Sequence, residues 1–192
     1  MVWIYFATIL IFVVTVLAII GRKDPDLLRE RFKPGPGARD PETRPLLLLF
    51  ILGHWIVAGL DVGRYHWSGT LHFGVQLIAL LLFSLGLAGW GWAMYTNSFF
   101  SSEVRIQTER GHRVITGGPY RFVRHPGYAV LLVFFLASPV VLGSWWALLP
   151  VVGAAALILR RTVIEDRVLR AELPGYADYA ARVRYRLLPG IW

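Results

Sequence analysis

The chain has 192 residues, of which 56% are hydrophobic and 14% aromatic, and its mean hydropathy is +0.53. A soluble domain carries about 25% charged residues against 17% here, so an ordinary soluble protein is excluded and an integral membrane protein is expected. The absence of cysteine rules out disulfides, thiolate metal sites and a cysteine nucleophile. The net charge of +8 fits orientation in a membrane and attraction to anionic headgroups better than nucleic-acid binding.

The first apolar run, residues 1 to 20, is free of charge and about the ~20 residues that a spanning helix needs. It lacks the basic start and small-residue cleavage site of a signal peptide and reads as a retained span. "KPGPGARDPETRP", starting at Lys33, is rich in Pro and Gly and reads as an irregular linker. A second span is predicted from Leu46 to Leu60, extending toward Trp67 across Asp61 and Arg64, and a third from Leu71 to Tyr95. Gly86, Gly89 and Gly91 in the third would allow close helix approach. After a polar stretch, "GYAVLLVFFLASPVVLG" and "WWALLPVVGAAALIL" predict a tight hairpin of two short spans. Pro139, Gly143 and Ser144 supply the break, and Trp145 and Trp146 fit an aromatic belt at the far interface.

The basic residues support five spans. Residues 21 to 45 hold Arg22, Lys23, Arg29, Arg31, Lys33, Arg39 and Arg44, whereas residues 61 to 70 hold Arg64 alone. Residues 97 to 125 hold Arg105, Arg110, Arg113, Arg121 and Arg124, the next turn holds none, and seven arginines follow residue 159. All but one of the 20 basic residues then fall on one side, predicting an outside N-terminus and a cytoplasmic C-terminus. The expected fold is therefore an all-α integral membrane protein of about five transmembrane helices with a cytoplasmic C-terminal helix. It forms a single domain over 1–192, with three N-terminal spans in 1–95 and, in 96–192, a binding core that includes the helical hairpin and the C-terminal helix. The segment 97 to 125 and the C-terminal tail meet at one membrane face, where polar chemistry can be assembled.

Within that tail Arg161 and Glu165 are four residues apart and share a helix face, as an ordinary ion pair would. Glu165 and Asp166 nevertheless follow an apolar span closely, where a carboxylate needs water or a cationic partner. The five histidines, at 54, 66, 72, 112 and 125, show no metal-ligand spacing, so no metal is expected. Ser101 and Ser102 have no nearby triad partners.

"HRVITGGPYRFVRHPGY", followed by "RTVIEDRVL", "LPGYADYAARV" and "LLPG", resembles the isoprenylcysteine carboxyl methyltransferase family, with which phospholipid N-methyltransferases share a general pattern. The resemblance runs through residues 90 to 192. It implies methyl transfer from S-adenosyl-L-methionine to a lipophilic small-molecule or lipid-linked acceptor that reaches the site from the membrane lipids. By motif position it puts cofactor contacts on His112, Arg113, Val114, Ile115, Tyr120, His125, Pro126, Gly127, Tyr128 and Glu165. It puts the catalytic pair on Arg161 and Glu165, and a further upstream contact near Arg105 or Gln107.

Aromatic faces and a carboxylate suit a sulfonium, and His125, Arg113 and the amides of "TGGPY" offer donors to a carboxylate and ribose. A carboxylate acceptor needs only an orienting cation such as Arg161, whereas an amine acceptor needs deprotonation by Glu165 or His125. Methylation of a carboxylate is the leading expectation, beside N-methylation of a phospholipid or other amine and a non-catalytic membrane scaffold. Val130 stands where the family often has Gly. Tyr176 and Tyr179 read as packing aromatics on a surface helix, with their membership of the site, and that of Arg182, left open.

Overall fold

The computed structural model covers residues 1–192, and its regular structure is entirely helical. Helix α1 spans Val2–Lys23, a short α2 Pro25–Phe32, α3 Thr43–Leu60, α4 Phe73–Thr96, α5 Pro126–Leu142, α6 Leu148–Glu172 and α7 Tyr176–Arg182. Three segments, Val2–Lys23, Thr43–Tyr65 and Phe73–Thr96, are long and apolar enough to cross a bilayer, and Pro126–Leu142 is a shorter apolar helix. Many of their large apolar side chains are exposed, including Leu10, Leu49, Ile78 and Leu136. Water would not tolerate that surface, but hydrocarbon would.

The helices pack through small residues. A Cβ at Gly86 would lie 2.7 Å from Phe134 Cβ, and one at Gly89 would lie 2.9 Å from Val130 Cγ1, so α4 and α5 approach closely. Val130 thus finds its space in a glycine on the facing helix. Gly153 of α6 receives the Phe50 ring of α3 in the same way, with 2.5 Å from its Cβ position to Cε1. Between α1, α3 and α5 runs a buried chain of hydrogen bonds: Trp55 Nε1 donates to Tyr5 Oη at 2.9 Å, and Tyr5 and His54 both meet the Ser138 hydroxyl. Such bonds register helices where the lipid supplies no hydrophobic drive.

One end of the bundle is closed by Asp61, which lies in a π-helical turn at the end of α3. Its carboxylate accepts from the Ser68 amide at 2.9 Å and from the Ser144 hydroxyl at 2.6 Å, joining the α3–α4 turn to the α5–α6 turn. The α5–α6 reversal matches the predicted hairpin with one difference: Pro139 stays inside α5. Gly143, at φ 86°, makes the turn instead, because it takes the left-handed C-terminal position without steric cost. Trp67 packs edge-on to Trp146 at this end, with ring centroids 6.2 Å apart.

The other end gathers the remaining loops. Lys23 Nζ donates to the Tyr95 carbonyl at 2.6 Å, Arg39 pairs with Glu172 at 3.0 Å, and Arg160 pairs with Asp40 at 2.8 Å. The segment read as a linker begins irregularly, as expected, but α2 precedes it. Asp24 caps α2 by accepting from the Leu27 amide at 2.9 Å, and Pro25 occupies the first helical turn.

Candidate functional site

At this second end a cavity of about 840 Å³ opens between α1, α2, α3 and α4 on one side and the start of α5, α6 and the loop after α4 on the other. It falls within the ~300–1,000 Å³ of small-molecule clefts. Ten of the eleven residues named from the sequence line it: His112, Arg113, Val114, Ile115, Tyr120, His125, Gly127, Tyr128, Arg161 and Glu165. Pro126 does not; it is buried at the first position of α5, where its missing N–H costs nothing. Arg105 also lines the cavity, but Gln107 is turned away, its Nε2 donating to the Phe99 carbonyl at 2.8 Å.

Glu165 and Asp166 are neighbours with opposite surroundings. Asp166 is 1% exposed and accepts from Arg124 Nε and Nη2 at 2.7 and 3.1 Å, Tyr176 Oη at 3.1 Å, Arg186 Nε at 3.1 Å and Arg170 Nε at 3.2 Å. Burial alone would push its carboxyl up, but hydrogen bonds from His125, Arg124 and Arg186 outweigh it and hold the group far below the usual carboxylate range. Asp166 is therefore an ionised hub joining α5's entry, α6, α7 and the C-terminal strand of chain. Backbone bonds from Arg124 N to the Tyr185 carbonyl and from His125 N to the Arg186 carbonyl strengthen the same junction.

Glu165 faces the cavity instead. Its Oε2 accepts from Tyr128 Oη at 2.6 Å, and its Oε1 lies 3.9 Å from His125 Nδ1. The expected direct contact between Arg161 and Glu165 does not form. Tyr128 stands between them, accepting from Arg161 Nε at 2.9 Å while it donates to Glu165. One tyrosine hydroxyl thus fixes both charged groups, although they share a helix face. Arg161 also donates from Nη2 to the Ser102 carbonyl at 2.7 Å and has no carboxylate within ion-pair distance.

His112 stacks on Phe99, with ring centroids 4.5 Å apart. Burial is the main reason that its imidazole is depressed to about 4; the attraction of Glu165 opposes this, and Arg105 and Arg110 reinforce it. It is neutral at physiological pH; Nδ1 accepts from the Gln107 amide at 3.2 Å, which leaves Nε2–H as the donor it can offer. Tyr120 receives a hydrogen bond from Asn97 Nδ2 at 3.1 Å. Burial first, and the nearby Glu165 charge, keep the Tyr120 phenol protonated.

Tyr176 and Tyr179, read from the sequence as packing aromatics on a surface helix, are 4% and 2% exposed and line the cavity. Tyr179 Oη donates to the Tyr120 carbonyl at 2.7 Å, so α7 is an inner wall rather than a surface helix. Arg182, at the end of that helix, is exposed. Arg31, Arg44 and Glu103 also line the cavity, and no motif marked them. The sole sequence signal was the basic excess of residues 21 to 45, which carry the two arginines.

Arg105 is buried against α2, giving Nε and Nη2 to the two oxygens of Glu30 at 2.9 Å each and pairing also with Glu109. Burial raises the Glu30 carboxyl, but the bonds from Arg105, Ser101 and the Gly35 amide outweigh it and leave the group lowered. This fork clamps α2 onto the loop that carries the site.

Residues 77–171 match the model of the isoprenylcysteine carboxyl methyltransferase (ICMT) family. Over that stretch, just under half of its length, the chain is similar to this family. A relative, the cobalt-zinc-cadmium resistance protein CzcN of Cupriavidus metallidurans, is 29% identical over 130 residues, which are 67% of this chain and 56% of that protein. The chain therefore spans little more than half the length of this curated relative. The family match contains His112 through Tyr128 and Arg161 through Asp166, and it ends before α7. The all-α structure with several long apolar helices agrees with an integral membrane protein.

Proposed function

We propose that this protein is an S-adenosylmethionine-dependent methyltransferase that methylates a lipophilic acceptor, most favourably at a carboxylate. The observation that carries the reading is the composition of one cavity. Its polar end holds Glu165, Tyr120, Tyr128, His112 and His125, and its apolar end runs between Phe12, Val16, Leu48 and Phe135.

The residues present fit the cofactor. Glu165 leaves Oε1 without a hydrogen bond, beside the rings of Tyr128 and His125, which suits a sulfonium cation. Neutral His112 and the rim guanidinium of Arg113 suit the polar remainder of such a molecule. When bound, S-adenosylmethionine supplies a methyl group activated by its attachment to a positive sulfur. Tyr128 holds Glu165 and Arg161 at fixed separation, Arg161 keeps Nη1 free of hydrogen bonds to the chain, and the aromatic walls exclude water. A carboxylate acceptor oriented by Arg161 is already nucleophilic and requires no general base.

We further propose five crossings, with α5 and the first half of α6 joining the three long spans. The basic end of the bundle, which carries the cavity, would be cytoplasmic. The grouping of the α3–α4 and α5–α6 turns at the Asp61 end supports this arrangement. We take 1–192 as one unit, because α2 and α3 complete the cavity begun by the later helices.

Calorimetry of the purified protein with S-adenosylhomocysteine, the demethylated product, tests the reading. Wild type is expected to bind, and Glu165→Gln to bind S-adenosylmethionine itself about tenfold or more weakly, the effect of losing one charge-assisted contact of ~1.5–3 kcal/mol, with a smaller loss for the product, which lacks the sulfonium charge. Absence of binding by wild type would overturn the proposal. With labelled cofactor and membrane extract, a base-labile product marks ester formation and a base-stable one marks N-methylation.

A further inference from the structure

Three arginines from three different helices converge on three successive residues. Arg31 of α2 donates from Nη1 to the Ser101 carbonyl at 3.2 Å, and Arg161 of α6 donates from Nη2 to the Ser102 carbonyl at 2.7 Å. Arg44 of α3 brings Nη1 to 3.7 Å from Glu103 Oε1. All three arginines, with Ser102 and Glu103, line the cavity.

This cluster differs from the other arginines buried or half-buried at the same end. Arg105 is paired with Glu30 and Glu109, Arg124 with Asp166, and Arg160 with Asp40. Neither Arg31 nor Arg161 has a carboxylate within ion-pair distance; Arg31 is instead held against the rings of Trp90 and Phe100, 4.9 and 5.3 Å from their centroids. Burial above all lowers Arg31 to about 10, with Tyr128 opposing and repulsion from Arg161 and Arg44 adding to the shift, so it remains a cation at neutral pH. Gathering like charges in a partly desolvated cleft is unfavourable unless an anion enters. The Ser102 hydroxyl is likewise buried in the cavity wall without a hydrogen-bond partner, a state that calls for one.

We propose that Arg31, Arg44, Arg161 and the Ser102 hydroxyl form a cradle for the anionic head of the acceptor, with Arg31 and Arg44 as the positioning residues that set its charge specificity. Three guanidinium groups against Glu103 and Glu165 leave a single positive charge, which matches a monoanionic carboxylate on a lipophilic chain better than a phosphate dianion or an amine. The term acceptor rests on the methyl-transfer reading above; the anion preference does not. Arg31 and Arg44 lie before residue 77, outside the family match, so this specificity belongs to the N-terminal half of this chain.

The test uses the full chain in neutral detergent micelles, with dodecanoate, dodecyl phosphate, dodecylamine and inorganic phosphate as probes, each titrated with and without S-adenosylhomocysteine. Wild type is expected to favour dodecanoate over dodecylamine and over free phosphate. Arg31→Gln and Arg44→Gln should each weaken dodecanoate about tenfold, roughly 1.4 kcal/mol, while S-adenosylhomocysteine affinity stays within about twofold. Arg44 has a side chain 48% exposed, and its substitution carries the test if Arg31→Gln does not fold. Unchanged dodecanoate affinity in folded variants, or a wild-type preference for the amine, would overturn the cradle. Failure of wild type to bind S-adenosylhomocysteine would overturn the methyltransferase reading alone, since dodecanoate binding is read separately.

Discussion

Replacing Asp166 by asparagine tests whether the two adjacent carboxylates divide their work as the structure indicates. Asp166 is 1% exposed and receives donors from Arg124, Arg170, Arg186 and Tyr176. Asparagine keeps one acceptor, turns the other oxygen into a donor facing arginines, and removes the only carboxylate that pairs with Arg124. Breaking a buried pair from one side costs about 3–5 kcal/mol because the remaining charge is stranded. For a chain of this size each kcal/mol shifts the melting midpoint by about 2–4 °C, so the expected drop is roughly 6–20 °C. Arg170→Ala removes a partner whose side chain is 44% exposed and should cost at most about 1 kcal/mol. Thermal unfolding in a single detergent, followed by tryptophan fluorescence, measures both. The reasoning fails if Asp166→Asn melts within a few degrees of Arg170→Ala, or if Glu165→Gln is as destabilising as Asp166→Asn.

Tyr128→Phe should leave the fold nearly as stable, within about 1 kcal/mol, because Arg161 and Glu165 can close on each other as an i,i+4 pair; methyl-transfer turnover should fall by tenfold or more, and unchanged turnover would remove the bridge from the site. Gly89→Val should cost about 1–3 kcal/mol by overpacking α4 against Val130, and Val130→Gly in the same chain should recover most of that cost in a double-mutant cycle. His112, depressed to about 4, contributes stability that is whole above the unfolded value near 6.5 and lost as pH falls from there toward about 4, since only the unfolded chain binds the proton in that window. His112→Asn should flatten that limb of the stability profile, and an imidazole shift titrating near 6.5 in the folded protein would contradict the burial. Glu30→Gln should loosen α2 from Arg105 and raise hydrogen exchange across residues 25 to 37, with exchange in α4 unaltered.

Much of this protein is local in origin and could be read along the chain. Twenty-residue apolar runs cannot be anything but spans or core, so α1, α3 and α4 follow from hydropathy, as does the α5–α6 hairpin from Gly143 between two short runs. The positions of His112 through Tyr128 and of Arg161 and Glu165 were legible because their motif occupies contiguous stretches, which the cavity then brings to one wall. What the motif could not contain is which of two neighbouring carboxylates turns inward. Glu165 and Asp166 differ by about 100° of helix rotation, and only the packing of α6 against α5, α7 and the C-terminal residues assigns one to the cavity and the other to the arginines.

The remaining features depend on contacts far apart in sequence. Tyr128 bridges Arg161 and Glu165 from another helix, Glu30 clamps Arg105 from 75 residues away, and Arg31 and Arg44 reach the cavity from α2 and the start of α3, in a stretch that composition marks only as basic. Tyr176 and Tyr179 showed i, i+3 spacing, which fits a surface helix and an inner wall equally well. Hydropathy and motif spacing determine what each segment is, because they act within one or two helical turns. Which side chains share a cavity is decided by helix rotation and close approach through Gly86, Gly89 and Gly153, and those arise only when the bundle has formed.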